Sequence, residues 1–187
     1  NYGYRHWGSY RISDSDYYSS VRARKESGTY DEWNMIYLYV IKNDMYNLDN
    51  IFSIFDRIQR DKNYSTYEFA DLIVSFVQDI PYAYTNNDWP DLYAPVEFLR
   101  RYQGDCDTRT VLLFILLNGY GIDTVILGSS IYKHSVIGVN LPTSSGSYKY
   151  ANGKRYYLWE TTAKGWTRGD IDPRNKNMNY WKIDLKL

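Results

Sequence analysis

Cys106 is the only cysteine in the chain, and it stands where a polar turn meets an apolar run. Residues 102–109 read Tyr-Gln-Gly-Asp-Cys-Asp-Thr-Arg, and residues 110–119 continue Thr-Val-Leu-Leu-Phe-Ile-Leu-Leu-Asn-Gly. A thiol that merely fills a core could occupy any point on such a stripe. This one opens it, where free backbone N–H groups and the positive end of the helix dipole favour a thiolate. A pKa below the usual value of about 8.5 is therefore expected, given a cationic imidazole beside it. Asp105 and Asp107 oppose that shift. Asp105 can instead cap the helix, and Asp107 can pair with Arg109 or Arg101.

Of the two histidines, His6 lies among Tyr4 and Trp7 and reads as packing. His134 follows Ser129-Ser130-Ile131-Tyr132-Lys133 and opens a strand-like run, so it is the candidate base. Glu160, in Tyr-Leu-Trp-Glu-Thr-Thr, shares a strand face with Tyr156 and Leu158 and is the candidate orienting acid. If these two strands form one hairpin with His134 opposite Glu160, its centre is residue 147, inside the polar stretch 142–153. Thiol, base and orienting carboxylate together are the parts of nucleophilic acyl transfer.

The elements around these residues follow from local signals. Ser13-Asp14-Ser15-Asp16 opens a helix that continues to about Lys25, and Ser27-Gly28-Thr29 breaks it. Residues 31–42 are dense in aromatic and aliphatic side chains without a clear period. Residues 47–59 keep an apolar face at three- and four-residue spacing. Ser65 caps the next helix with Glu68 in capping-box spacing, and Pro81 closes it. Pro95 suits the first turn of a short helix ending near Arg101, and the Cys106 helix stops at Asn118-Gly119. Strands are expected at 124–127, 134–139 and 156–162, with 142–153 as a loop or hairpin extension. Helices followed by strands indicate an α+β domain with an antiparallel sheet packed on the cysteine-bearing helix. Residues 1–64 read as an arm and helical extension packed on a core formed by 65–187.

Composition excludes several classes. The 22 basic residues balance 22 acidic ones, so no global field draws nucleic acid. No apolar run approaches the roughly 20 residues that cross a bilayer, so no integral membrane segment is expected. No metal or other cofactor is expected. The chain opens on Asn1 rather than Met and carries no export signal. Together with its single thiol and 22 tyrosines, this leads us to expect a processed protein of an extracytoplasmic location: periplasmic, secreted or surface-anchored.

Gly104-Asp105-Cys106-Asp107, the apolar helix behind it, Gly119-Tyr120-Gly121-Ile122-Asp123 before a strand, His134 and Glu160-Thr161-Thr162 resemble the core of the transglutaminase-like superfamily. Phe76-Val77-Gln78-Asp79-Ile80-Pro81-Tyr82 and Pro95-Val96-Glu97-Phe98-Leu99 are similar to prokaryotic members. The resemblance covers residues 65–170. It implies a papain-like fold with Cys106 as nucleophile, His134 as base and acid, and Glu160 as orienter. The chain departs from the pattern in three ways. Glu160 stands where Asp is commoner, and His134-Ser135-Val136 replaces His-Ala-Trp. No acidic cluster resembles the calcium sites of animal transglutaminases.

The expected activity is that of a cysteine peptidase, amidase or acyltransferase acting on a peptide, protein or cell-wall amide. The Cys106 N–H and the Gln78 amide are candidate oxyanion donors, with Gln103 behind them. Trp89, Tyr84 and Trp166 are candidates for the substrate groove. The rival expectation is a binding or scaffold domain of the same fold without turnover, taking a glycan or peptide.

Overall fold

The computed structural model describes residues 5–85, 89–143 and 145–187. Among them, six α-helices precede a five-stranded antiparallel sheet, giving the expected α+β class. The helices are α1 (Asp14–Ser27), α2 (Trp33–Asp44), α3 (Asp49–Lys62), α4 (Thr66–Asp79), α5 (Pro95–Arg101) and α6 (Cys106–Gly119). The strands are β1 (Thr124–Ser129), β2 (His134–Val139), β3 (Tyr148–Ala151), β4 (Lys154–Trp159) and β5 (Lys182–Lys186).

Helix starts follow the capping chemistry of the sequence. The Ser13 hydroxyl accepts from the Asp16 N–H. Ser65 and Glu68 exchange side-chain and backbone bonds in a full capping box, which stabilises the start of α4 by about 1 kcal/mol. Pro95 stands at the start of α5, where its missing N–H has no intrahelical partner to lose. The stretch of ambiguous period becomes α2, with Ile36, Tyr37, Val40 and Ile41 on its buried side.

Helix α6 is buried continuously from Thr108 to Leu117 because other helices and the sheet enclose it. Each of its fully buried Leu, Ile or Phe side chains contributes about 1.5–3 kcal/mol of hydrophobic free energy. A single apolar cluster runs from Ile36 in α2 through α3–α6 to Ile126, Ile137, Trp159 and Leu185 on one sheet face. The opposite face carries a smaller cluster of Val125, Leu127, Val136, Tyr156 and Leu158, covered by Ile171 and Trp181. His6 packs as expected of a structural histidine, its Nε2 bonded to Tyr64 Oη at 2.9 Å, while Tyr4 falls outside the described residues.

The strand order is β3-β4-β2-β1-β5. The 142–153 stretch takes its hairpin alternative, and one strand, β5, was not expected. β3 forms inside the 142–153 stretch and pairs with β4 across an Asn152-Gly153 turn, where both residues take positive φ (48° and 77°). β5 lies antiparallel to β1 at the other edge. β2 and β4 pair antiparallel with Ile137 opposite Trp159, so their pairing is centred on 148 rather than 147. β4 also ends at Trp159, which leaves Glu160 beyond the strand instead of within it. Both differences bear on the site.

The turn after Glu160 is anchored by backbone bonds. The Glu160 N–H donates to Asp170 O, the Gly169 N–H to Leu158 O, and the Ser147 N–H to Gly169 O. Gly169 has φ +89°, and a β-carbon on it would meet Ser145 O at 2.8 Å and Gly146 Cα at 2.9 Å. Only glycine satisfies both the conformation and this backbone approach.

Candidate functional site

Cys106 begins α6 and His134 begins β2, and both line the same cleft. The turn before Cys106 is held by a parallel bridge between Tyr82 and Gly104, with Gly104 N–H donating to Pro81 O and Ala83 N–H to Gly104 O. Asp105 is the N-cap, its Oδ1 accepting from the Thr108 N–H at 3.0 Å. Along β2, Ser135 faces the helix and its Oγ lies 3.1 Å from Thr110 Oγ1. His134, one residue earlier, turns to the other face, its ring 6.0 Å from that of Trp181.

The Glu160 carboxylate reaches His134 Nε2, at 3.0 Å from Oε2 and 3.1 Å from Oε1. Oε1 also accepts from the Thr161 N–H, the Thr162 N–H and the Thr162 hydroxyl. Burial acts to raise the Glu160 pKa. The His134 bond and charge and the Thr162 donors outweigh it, so the acid lies below its ordinary range. An ionised Glu160 puts the imidazole proton on Nε2 and leaves the Nδ1 lone pair free to accept a proton.

The thiol does not have the low pKa expected from its helix position. Burial pushes it up, and the charges of Asp107 and Asp105 add to the rise. Two adjacent carboxylates in a buried setting outweigh the helix dipole. The Sγ–H donates to Asp107 Oδ2 at 3.6 Å, and among the described residues no hydrogen bond joins it to the imidazole. Asp107 pairs with neither Arg109 nor Arg101. Its Oδ1 accepts from the buried Tyr37 hydroxyl at 2.5 Å, while Arg101 bonds to Glu97. Asp107 is itself raised by burial. Asp105 is pushed to about 6, chiefly by burial, and Asp184 of β5 to about 6 by burial and the Asp107 charge.

Cys106, His134 and Glu160 line one cleft of about 650 Å³, together with Asp105, Asp107 and the rings of Tyr82, Tyr84 and Tyr132. Asp172 and Arg174 form its rim. Bidentate bonding to Arg174 takes the Asp172 carboxyl down to about 2. Of the predicted groove residues, Tyr84 lines the cleft and Trp89 and Trp166 do not. The Trp89 indole N–H instead donates to Tyr30 O, and its ring lies 5.1 Å from that of Trp33. Trp166 presents its carbonyl to the Gln78 amide and to the Trp159 indole.

Gln78 does not fit the oxyanion role. Its Nε2 donates to Glu160 O at 2.9 Å and Trp166 O at 3.0 Å, so its donors hold the Glu160 turn. Gln103 is exposed and away from the cleft. Sequence reasoning missed Tyr37, Tyr82, Tyr132, Asp172 and Arg174. Tyr82 beside Pro81 and Tyr132 two residues before His134 were accessible locally, but Tyr37, Asp172 and Arg174 join the site only through long-range packing.

Among the described residues, no group of three or more His, Cys, Asp or Glu side chains is arranged to hold a metal ion. No helix among them is long and apolar enough to cross a membrane. No protein-family model, curated protein or solved structure matches the chain.

Proposed function

We propose that this protein catalyses thiol-dependent acyl transfer or hydrolysis on peptide or amide substrates, on a papain-like core of transglutaminase-like type. The observation that carries this reading is the partly buried His134–Glu160 pair opening into the same cleft as the first residue of α6, Cys106.

The resting thiol is neutral and held by Asp107, so activation is coupled to attack rather than stored in a preformed ion pair. Cys106 rotates from Asp107 toward His134 Nδ1. The Sγ–H proton passes to Nδ1 as sulfur bonds to the substrate carbonyl carbon, and the carbonyl π electrons move to oxygen. The Cys106 backbone N–H is the donor left for that oxyanion once Gln78 is excluded. On collapse the C–N bond breaks, and the departing nitrogen takes the proton from Nδ1. The resulting thioester then yields to water or to an amine, which returns a proton to Cys106 by the same route.

A panel of peptide amides and amine acceptors, assayed with Cys106→Ala as control, tests the proposal. Amine release by the native protein and none by the variant is expected. Equal behaviour of the two overturns it.

The second reading is a binding module of the same architecture without turnover. The raised thiol pKa and the Cys106–Asp107 bond favour it. It predicts ligand retention that survives Cys106→Ala.

A further inference from the structure

Arg109 lies one turn after Cys106 and is fully buried. Among the described residues no carboxylate forms an ion pair with it. Its guanidinium donates instead to four main-chain carbonyls. Nε bonds to Gly104 O at 3.1 Å, Nη1 to Val77 O at 2.8 Å and Thr161 O at 2.9 Å, and Nη2 to Ile80 O. The Tyr82 ring lies 5.5 Å from its central carbon.

These carbonyls come from three places with one thing in common. Gly104 is in the turn that delivers Cys106, Thr161 follows Glu160 directly, and Val77 and Ile80 end α4. That same end of α4 carries Gln78, which holds the Glu160 carbonyl. A buried charge without a counter-ion is costly, and an apolar side chain could have filled this space more cheaply. A planar cation with five donors is, however, suited to pinning several carbonyls at once.

Building on the catalytic reading above, we propose that Arg109 is a positioning residue. It ties the nucleophile's turn to the orienting acid's turn and supplies a fixed positive charge beneath both. The charge matters because anions and phenols crowd the thiol, with the Ser135 N–H and hydroxyl as neutral donors to it. Asp105 faces it from the N-cap of α6 and Asp107 from its first turn, Tyr82 from the α4–α5 loop, and Tyr37 from α2, with Asp184 of β5 behind Asp107. His134 from β2 and Arg109 are the groups of opposite sign. The electrostatic attraction of Arg109 to Cys106 and Glu160 acts in both directions: each anion favours the guanidinium, and the guanidinium favours the thiolate.

Two measurements on Arg109→Gln and Arg109→Lys test this. One is the pH profile of Cys106 alkylation by iodoacetamide. The other is the low-field proton NMR signal of the His134 Nε2–H bonded to Glu160. Arg24→Gln, which breaks a buried ion pair with Glu97 away from the cleft, controls for general destabilisation.

Arg109→Gln is expected to slow alkylation at fixed pH below the thiol pKa by about threefold or more, whereas Arg24→Gln leaves the profile in place. Arg109→Lys keeps the charge and loses the fork, so its profile stays near the native one while the His134 signal broadens or disappears. If Arg109→Gln folds with both readouts native, the proposal is overturned. Should it fail to fold, a native His134 signal in Arg109→Lys overturns it and a lost signal supports it. An alkylation profile in the native protein that ignores His134→Ala counts against the catalytic reading, and leaves the Arg109 comparison to be judged on its own.

Discussion

His134 Nε2 stands 3.0 Å from Glu160 Oε2, although the two residues are not directly opposed in the sheet. Continuing the register of Ile137 with Trp159 sets Glu160 across from Val136, two residues from His134. Such diagonal positions lie about 7–8 Å apart, a gap that a longer side chain can span. The extra methylene of Glu is therefore matched to the register. Glu160→Asp and Glu160→Gln are both expected to reduce Cys106-dependent ester turnover by about a hundredfold or more, with Asp no better than Gln. Native turnover in Glu160→Asp would show that the spacing does not require Glu.

Asp107 holds the thiol proton and raises the thiol pKa by its charge, second to burial. Asp107→Asn removes that charge while keeping the shape. Iodoacetamide alkylation of Cys106 near neutral pH should accelerate by about tenfold, equivalent to about one pKa unit. An unchanged or slower rate would remove Asp107 from the account.

Asp184 has its carboxyl raised to about 6, so the folded state binds a proton more tightly than the unfolded state, where the value is about 3.9. Its contribution to stability therefore falls as pH rises from about 4 to about 6 and stays lost above that. Asp184→Asn should stabilise the protein at pH 8 by about 1–2 kcal/mol, the shift being discounted for partial exposure. The gain should vanish by about pH 4. Thermal unfolding at the two pH values checks both parts, and a gain independent of pH contradicts the assignment.

Gly169 anchors the turn that carries Glu160. Gly169→Ala imposes a side chain at positive φ against the Gly146 backbone and is expected to cost about 1–3 kcal/mol of stability. Denaturant unfolding measures it, and a loss near zero would show that the loop yields without strain.

Much of this was legible in the residues, and the exceptions have physical causes. Ser65 with Glu68, and Pro95, mark the starts of their helices because the caps are local chemistry. α2 stayed ambiguous because its aromatic and aliphatic residues crowd nearly every side. β5 did carry a signal, since Lys182-Ile183-Asp184-Leu185-Lys186 alternates strictly in polarity. The His134–Glu160 pairing could be guessed from two strands, but its register could not, because β3 and the Asn152-Gly153 turn moved the centre by one residue. The Asp107 contact with Tyr37 spans 70 positions, and nothing local announces it. A Cys-Asp step at a helix start reads as an activated thiol until the burial around it is known.

On the proposed function, Cys106 forms a covalent acyl intermediate with His134 as its proton carrier. Intact-mass analysis after rapid mixing with p-nitrophenyl acetate tests it directly. An acetyl group should appear on Cys106 and then be lost to water in the native protein, with both steps strongly slowed in His134→Ala. No acetylation at Cys106, or equal rates in the variant, would contradict it.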